Sequence, residues 1–243
     1  MYDIHSHLLF GVDDGCKTME ESIRLLKEME AAGTEKLMLT PHYIENSKYN
    51  CDNEETYKRF DALKLEAKKH KINIELYLGN ECYYATNLVE LLVRREIRTL
   101  NHSKYILFEF PLRQGQQPFV SETISELVKN GFIPVLAHPE RYEFIQKYPV
   151  ILEEYLRLGM QLQGNFTSLF GKYGGKSKRT LKKLLKNHWI SLLGSDTHHE
   201  VSYNSEKLEK KLLRITKDKD YVDRLLRRNF ETVINDGELE LIR

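Results

Sequence analysis

The chain has 243 residues, 41% hydrophobic and 30% charged, which suits one good-sized globular domain or two small ones and excludes a disordered chain. Lys+Arg 37 against Asp+Glu 36 leaves a net charge of +1, so a chain built to coat nucleic acid is not expected. No stretch approaches the ~18 to 20 uncharged apolar residues of a spanning helix, so membrane insertion is not expected either.

Residues 2–4 read as a first strand. Thr18-Met-Glu-Glu21 has the form of a capping box, opening a helix whose apolar stripe, Ile23, Leu26 and Met29, runs to Gly33. Residues 37–40 are a short apolar strand ended by Pro41. An amphipathic helix follows over 53–69, with Tyr57, Phe60, Leu63 and Ala67 on one face. Then come a strand over 72–78, a short helix over 88–93 and a strand over 105–110. Val120, Ile124, Leu127 and Val128 mark another helix, closed by Gly131. Residues 133–137 are extended, 151–158 helical and 160–163 extended. A basic helix over 176–186 and a strand over 189–193 precede some forty residues that read as two charged helices.

About seven short strands, each followed by a helix, argue for a parallel sheet in an α/β fold. There is no GxGxxG after the first strand and no GxxxxGK[ST], so dinucleotide and P-loop folds are unsupported. A closed or nearly closed β/α barrel is the expected architecture. No linker, repeat or low-complexity tract divides the chain, and one domain over residues 1–243 is expected, the last ~40 residues helical.

The acids and histidines fall in a pattern against this rhythm. His5 and His7 follow the first strand, His42 the second and Glu81 the third, while Glu109 closes the fourth. His138 follows the strand over 133–137, and Asp196 and His198 follow the last strand. In a β/α barrel the carboxyl ends of the strands share one face, so these residues should meet in one pocket. A lone histidine at a strand end is ordinarily a hydrogen-bonded rim residue. A carboxylate closing an apolar run, as Glu109 does, is costly unless it is paired or bound to a cation. Imidazoles and carboxylates without thiolates favour Mn, Fe, Zn or Mg, and the His5-x-His7 and Asp196-x-His198 spacings put each pair on one side of an extended segment. His70, His102 and His188 suit structural roles, and His199 stays open.

His5-Ser-His7, Asp13-Asp14-Gly15, Thr40-Pro41-His42, Gly79-Asn-Glu81, Glu109, Ala137-His138-Pro-Glu-Arg141 and Gly194-Ser-Asp196-Thr-His198, in this order over residues 1 to about 200, resemble the PHP superfamily. More narrowly they resemble the manganese-dependent tyrosine-protein phosphatases encoded with capsule and exopolysaccharide genes in Gram-positive bacteria. The resemblance implies a distorted TIM-like (β/α)7 barrel with three Mn2+ ions, for which Fe, Mg or Zn could substitute. His5, His7, Glu81 and Asp196 would hold one ion; Glu81, Glu109 and His138 a second, with Glu81 bridging; Asp14, His42 and His198 the third. From the residues alone, Asp13 and Asp14 are equal candidates, and either could be a turn former before Gly15. Arg141 matches the family's phosphate-binding arginine, whose planar fork suits phosphoryl oxygens. The family's second arginine, a few residues past the last histidine, has no counterpart in His199-Glu-Val-Ser-Tyr203, and Arg113 is the hypothetical substitute. The implied substrate is a phosphotyrosine protein, a bacterial tyrosine autokinase tail.

The expected reaction is hydrolysis of a phosphomonoester by a metal-activated hydroxide. A cysteine phosphatase would need Cys-x5-Arg, but Ser22, Tyr57 and Leu88 stand six residues after Cys16, Cys51 and Cys82. These widely spaced cysteines form no disulfide framework and should stay reduced. The N-terminus has no basic region leading into an apolar core, and the chain is expected in the cytoplasm. Two alternatives remain: a histidinol-phosphate or other small-molecule phosphatase on the same barrel, and a non-catalytic kinase-docking regulator using the basic stretch 176–183.

Overall fold

The computed structural model describes residues 1–50, 52–112 and 115–240. β1 (Tyr2–Asp3) leads through a loop to α1 (Met19–Ala31), where the Thr18 side chain accepts from the Glu21 amide as the capping pattern predicts. β2 (Lys36–Leu39) ends before Pro41, which has no N–H to give to a ladder, as predicted, but a short strand that the sequence did not show, β3 (His42–Tyr43), resumes directly after it. After α2 (Asn53–Lys69), the strand predicted over 72–78 is β4 (Glu75–Leu78), and a further short strand, β5 (Glu81–Tyr83), follows a break at residues 79–80. The two breaks are bridged by Asn80, whose Nδ2 donates to the Pro41 carbonyl at 2.8 Å. The chain continues through α3 (Leu88–Val93), β6 (Tyr105–Glu109), α4 (Val120–Lys129), β7 (Ile133–Ala137), α5 (Glu143–Lys147) and α6 (Ile151–Arg157). It ends with β8 (Gln161–Asn165), α7 (Gly174–Lys186), β9 (Leu192–Gly194), α8 (Ser205–Thr216), α9 (Lys219–Asp223) and α10 (Asn229–Ile234), with a π-helical turn over 224–228 joining the last two.

All strand pairs are parallel, in the orders β1-β2-β4 and β3-β5-β6-β7-β8-β9. The sheet curls, and past β1 and β9 the chain is linked by bonds from Ile4 N to Leu193 O, Asp196 N to His5 O and His7 N to Thr197 O, at 2.9–3.3 Å. The helices lie outside, and the large apolar core fills the layer between them and the sheet. A second cluster fills the inside of the curl with Ile4, Met38, Leu107, Val135 and Leu192.

The C-terminal helices, read from sequence only as charged, have a definite task. Phe230 and Val233 of α10 enter the interior cluster, where Phe230 meets Tyr2 and Tyr77 edge-on. The Tyr105 hydroxyl donates to the Gly237 carbonyl and accepts from the Leu239 amide. These contacts cover the amino-terminal end of the strands, and a cleft opens at their carboxyl ends.

Candidate metal centre

That open end collects His5, His7, Asp14, His42, Glu81, Glu109, His138, Arg141, Asp196 and His198. The backbone bends sharply to aim them. His138 and Asp196, just past β7 and β9, sit in the left-handed region at φ +36° and +53°, which non-glycine residues adopt at a cost and mostly at functional sites. Two glycines make room: a Cβ on Gly15 would lie 1.9 Å from the His7 carbonyl oxygen, and one on Gly194 2.5 Å from the His5 Cβ.

The donor atoms converge as follows. His5 Nε2 and His7 Nε2 are 3.1 Å apart, and each is 3.2 Å from Glu81 Oε2. Asp196 Oδ1 closes this group at 3.7 Å from His5 and 3.5 Å from His7. On the far side of Glu81, Oε1 lies 2.9 Å from His138 Nε2, which is 3.6 Å from Glu109 Oε2. Asp14 Oδ1 lies 3.4 Å from His42 Nε2 and 3.6 Å from His198 Nε2. His42 is shared: its Nδ1 faces Glu81 Oε2 at 3.2 Å and Glu109 Oε1 at 3.4 Å. His70 and His102 lie elsewhere, and His188 stacks on Tyr221.

A second ring of side chains sets the polarity of this cluster; of its members the sequence pointed to Asp13, as an alternative to Asp14, but not to Gln163 or Asn165. Asp13 Oδ2 takes the Nδ1 proton of His7 at 2.7 Å and also accepts from the His42 amide. Asp13 is thus the buried carboxylate behind the ring, and Asp14 is the one that faces the cleft. Asp196 Oδ2 accepts from Asn165 Nδ2 at 2.9 Å; Asn165 Oδ1 then accepts from Gln163 Nε2 at 3.0 Å, leaving Gln163 Oε1 to take the Nδ1 proton of His5 at 2.8 Å. His198 Nδ1 donates to the Asp196 carbonyl. With Nδ1 protonated in all three rings, their Nε2 lone pairs point inward, at one another and at carboxylates. Ring nitrogens and carboxylates that converge in this way need a cation between them, a proton or a metal ion, and outer carboxylate or amide partners of this kind are what orient metal-binding imidazoles. Asp14 Oδ1 and His42 Nδ1, buried without hydrogen-bond partners, fit the same requirement. The residues therefore suit divalent ions.

Burial alone would lower the pKa values of His5 and His7, but Glu81 and, for His7, Asp13 raise them above the usual imidazole range, so without metal protons supply positive charge where the ions would sit. Burial would raise the Glu81 pKa, but the His5 and His42 imidazoles and the bond from His138 hold it well below the usual carboxylate range. The facing His198 imidazole lowers that of Asp14. Glu109 is pushed well above the usual range by burial and by the charges of Glu81 and Asp196, so its ionisation calls for added positive charge. Burial and the Arg141 charge lower His138 to about 4.

The cluster floors an open cleft of about 910 Å3. Arg141 lies in its wall, with NH1 2.6 Å from Asp196 Oδ2 and the guanidinium 4.1 Å from the Tyr173 ring centroid. Ile44, Tyr49, Tyr83, Pro111 and Leu112 give the cleft an apolar side, and Lys172 adds a cation that the sequence motifs did not single out. Arg113 and Cys51 lie outside the described residues. Cys16 and Cys82 are buried free thiols whose pKa values burial pushes up, to about 11 for Cys16, the reverse of an activated nucleophile.

Residues 1–235 match the family model described as capsular polysaccharide synthesis, CpsB/CapC. The chain belongs to the CpsB/CapC family. This CpsB/CapC member is 30% identical over 241 residues to a putative tyrosine-protein phosphatase, CapC, of Staphylococcus aureus, covering 99% of this chain and 91% of that one. It is 30% identical over 204 residues to the tyrosine-protein phosphatase CpsB of Streptococcus agalactiae, covering 82% and 83% of the two chains. Crystal structures of Bacillus subtilis YwqE and Streptococcus pneumoniae CpsB, described as unique metal-dependent tyrosine phosphatases, include a chain that superposes with a TM-score of 0.90 at 26% identity, covering 99% of this chain and 96% of that one.

Proposed function

We propose that this CpsB/CapC member is a metal-dependent protein-tyrosine phosphatase that hydrolyses phosphotyrosine on a bacterial tyrosine autokinase governing capsule or exopolysaccharide synthesis. The observation that carries this reading is the convergence of nine imidazole and carboxylate side chains, from every part of the curled sheet, beside one arginine in one cleft. The bonds between the ends of the first and last strands support a complete distorted (β/α)7 barrel, and we take residues 1–243 as one domain. No helix among the described residues is long and apolar enough to cross a membrane, and the buried free thiols suit a reducing cytoplasm, to which we assign the enzyme.

His5, His7, Glu81 and Asp196 would hold one ion. Glu81, Glu109 and His138 would hold a second, and Asp14, His42 and His198 a third. His42 Nδ1 is also within reach of the second. Manganese is our assignment for a donor set of nitrogen and oxygen without sulfur. Divalent ions held there supply Lewis acidity and a water pKa lowered from 15.7 towards ~7. Arg141, half-buried against Tyr173 and unable to lose its charge, binds the phosphoryl oxygens as charge grows on them. Asn165 and Tyr173 also bond Asp196 Oδ2, so Asp196 stays placed when Arg141 turns to substrate. The apolar side of the cleft excludes water around an aromatic ring, which favours an aryl over an alkyl phosphate. A phenolate leaving group, of pKa ~10, demands less protonation than an alkoxide.

The test is turnover of a phosphotyrosine peptide and of histidinol phosphate, side by side, by manganese-loaded protein before and after chelation. The reading expects the peptide to be the better substrate, with activity lost on chelation and restored by manganese. No peptide hydrolysis by metal-replete protein, or a rate that chelation leaves intact, would overturn it.

A further inference from the structure

Outside the cleft, the most unbalanced surface is α7. Its 13 residues carry six cations, Lys176, Lys178, Arg179, Lys182, Lys183 and Lys186, and no acid. Other helices set their charges in opposite pairs one turn apart, such as Arg24 with Glu28, Lys58 with Glu54 and Arg227 with Asp223. Among the described residues no ion pair engages the cations of α7. The spacings 178/182, 179/183 and 182/186 instead place like charges one turn apart, each costing about 0.2–0.5 kcal/mol. After burial, Lys178 and Lys182 are also the main causes that lower the pKa of Lys211 on α8.

The helix is anchored by its buried Leu181, Leu184 and Leu185, and Lys176, Arg179, Lys183 and Lys186 form one exposed stripe opposite. That stripe is about 15 Å long at ~1.5 Å per residue, the span of four to five residues of extended peptide. Beneath it, Lys147 of α5 joins Lys176, Arg179 and Lys183 around a groove of about 350 Å3 in which Glu143 is the one acid. Both walls of this groove start at the catalytic cleft. α5 begins two residues after Arg141, and α7 begins directly after Lys172 and Tyr173, which line the cleft. The Gln146 side chain ties the walls together, donating to the Glu140 carbonyl and to Ser177 Oγ.

We propose that the α5–α7 groove and the basic stripe of α7 form a docking track for an acidic segment of the polypeptide that carries the phosphotyrosine. The proposal rests on the phosphatase reading for the identity of the occupant. Charge complementarity and continuity with the Arg141 end of the cleft select a flank of the substrate chain over a free anion. Four or five acidic side chains match the length of the stripe.

The test uses two phosphotyrosine peptides that differ only in a flank of four Glu or four Gln, with p-nitrophenyl phosphate as a substrate too small to reach the groove. At low salt, wild-type protein should show a KM lower by about tenfold for the Glu peptide, the sum of a few exposed ion pairs. The triple variant K176E/R179E/K183E should erase that preference and leave kcat and p-nitrophenyl phosphate turnover unchanged. K147E, on the opposite wall, should reduce the preference in part and serves if the triple variant does not fold. Fluorescence anisotropy of the Glu peptide on metal-free protein reads docking without catalysis, so failure of the phosphatase reading and failure of the track are told apart. Equal KM for the two peptides on wild type, or a preference unchanged in both variants, would overturn the proposal. So would charge-dependent binding to phosphatidylglycerol vesicles or an oligonucleotide with no discrimination between the peptides.

Discussion

The sharpest consequence of the tautomer argument concerns Asp13, a residue that faces away from the cleft. Its Oδ2 accepts from His7 Nδ1 at 2.7 Å and from the His42 amide at 3.1 Å, while Oδ1 accepts from the Gly15 amide at 2.9 Å. The carboxyl is buried, yet the His7 and His42 imidazoles hold its pKa below the usual range, so it acts as an anion. Asp13→Asn keeps the shape and offers only one acceptor oxygen. If its amide NH2 takes the Oδ2 position, His7 must accept at Nδ1 and carry its proton on Nε2. That proton then points at Glu81 Oε2, 3.2 Å away, the inward lone pair is gone, and the His42 amide is left facing a donor, so metal affinity and stability both fall. If the NH2 takes the Oδ1 position instead, the Gly15 amide is left facing a donor, at about 1–3 kcal/mol of stability. Loss of such an outer partner typically weakens metal binding 10- to 100-fold, about 1.4–2.8 kcal/mol. Manganese titration of chelator-stripped wild type and D13N by calorimetry, with melting temperatures of both apo forms, reads the two branches separately. Wild-type affinity together with a wild-type melting temperature would refute the reasoning.

Arg141→Lys should cut kcat/KM on a phosphotyrosine peptide by about a hundredfold, because an ammonium cannot fork onto two oxygens, while elemental analysis finds unchanged metal content; full turnover would argue against a phosphoryl role. Alkylation by iodoacetamide under native conditions should leave activity intact, since Cys16 and Cys82 are buried with raised pKa values; rapid inactivation traced by mass spectrometry to either thiol would contradict this. Glu140 is fully buried, with Oε2 lacking a partner, and burial raises its pKa to about 7 from 4.5. The folded state therefore binds its proton more tightly than the unfolded chain, so wild-type stability falls as pH rises from about 4.5 to 7 and is level above, a total of about 3 kcal/mol. Melting of metal-free Glu140→Gln should accordingly gain on wild type across that window, and a pH-independent difference would show that Glu140 is ionised in the fold.

Much of this architecture was legible in the sequence because polarity and capping speak locally. The helices over 53–69 and 88–93 end where their apolar stripes and flanking polar residues say they should. The alternation of strand and helix was enough to gather His5, Glu109, His138 and Asp196 at one end, because parallel strands share a carboxyl end whatever their order. Three things needed the third dimension. The short strands β3 and β5, just beyond the predicted strands that end before Pro41 and at Leu78, carry too little apolar pattern to be read locally and are set by pairing with their neighbours. Asp13 and Asp14 are neighbours of the same type, and only the path of the loop past His7 sends one behind the ring and the other into the cleft. Gln163 ends the strand predicted over 160–163 and Asn165 lies beyond it; their direction into the curl, and hence their hold on His5 and Asp196, depends on strand register. The signal was present in hindsight, as three amides at alternate positions, Gln161, Gln163 and Asn165, of what proves a fully buried strand.

Anomalous diffraction from crystals grown with manganese tests the heart of the account most directly. It predicts peaks at the manganese edge enclosed by His5, His7, Glu81 and Asp196, by Glu81, Glu109 and His138, and by Asp14, His42 and His198. Ordered side chains in this same arrangement with no anomalous peak among them, at saturating manganese, would contradict it.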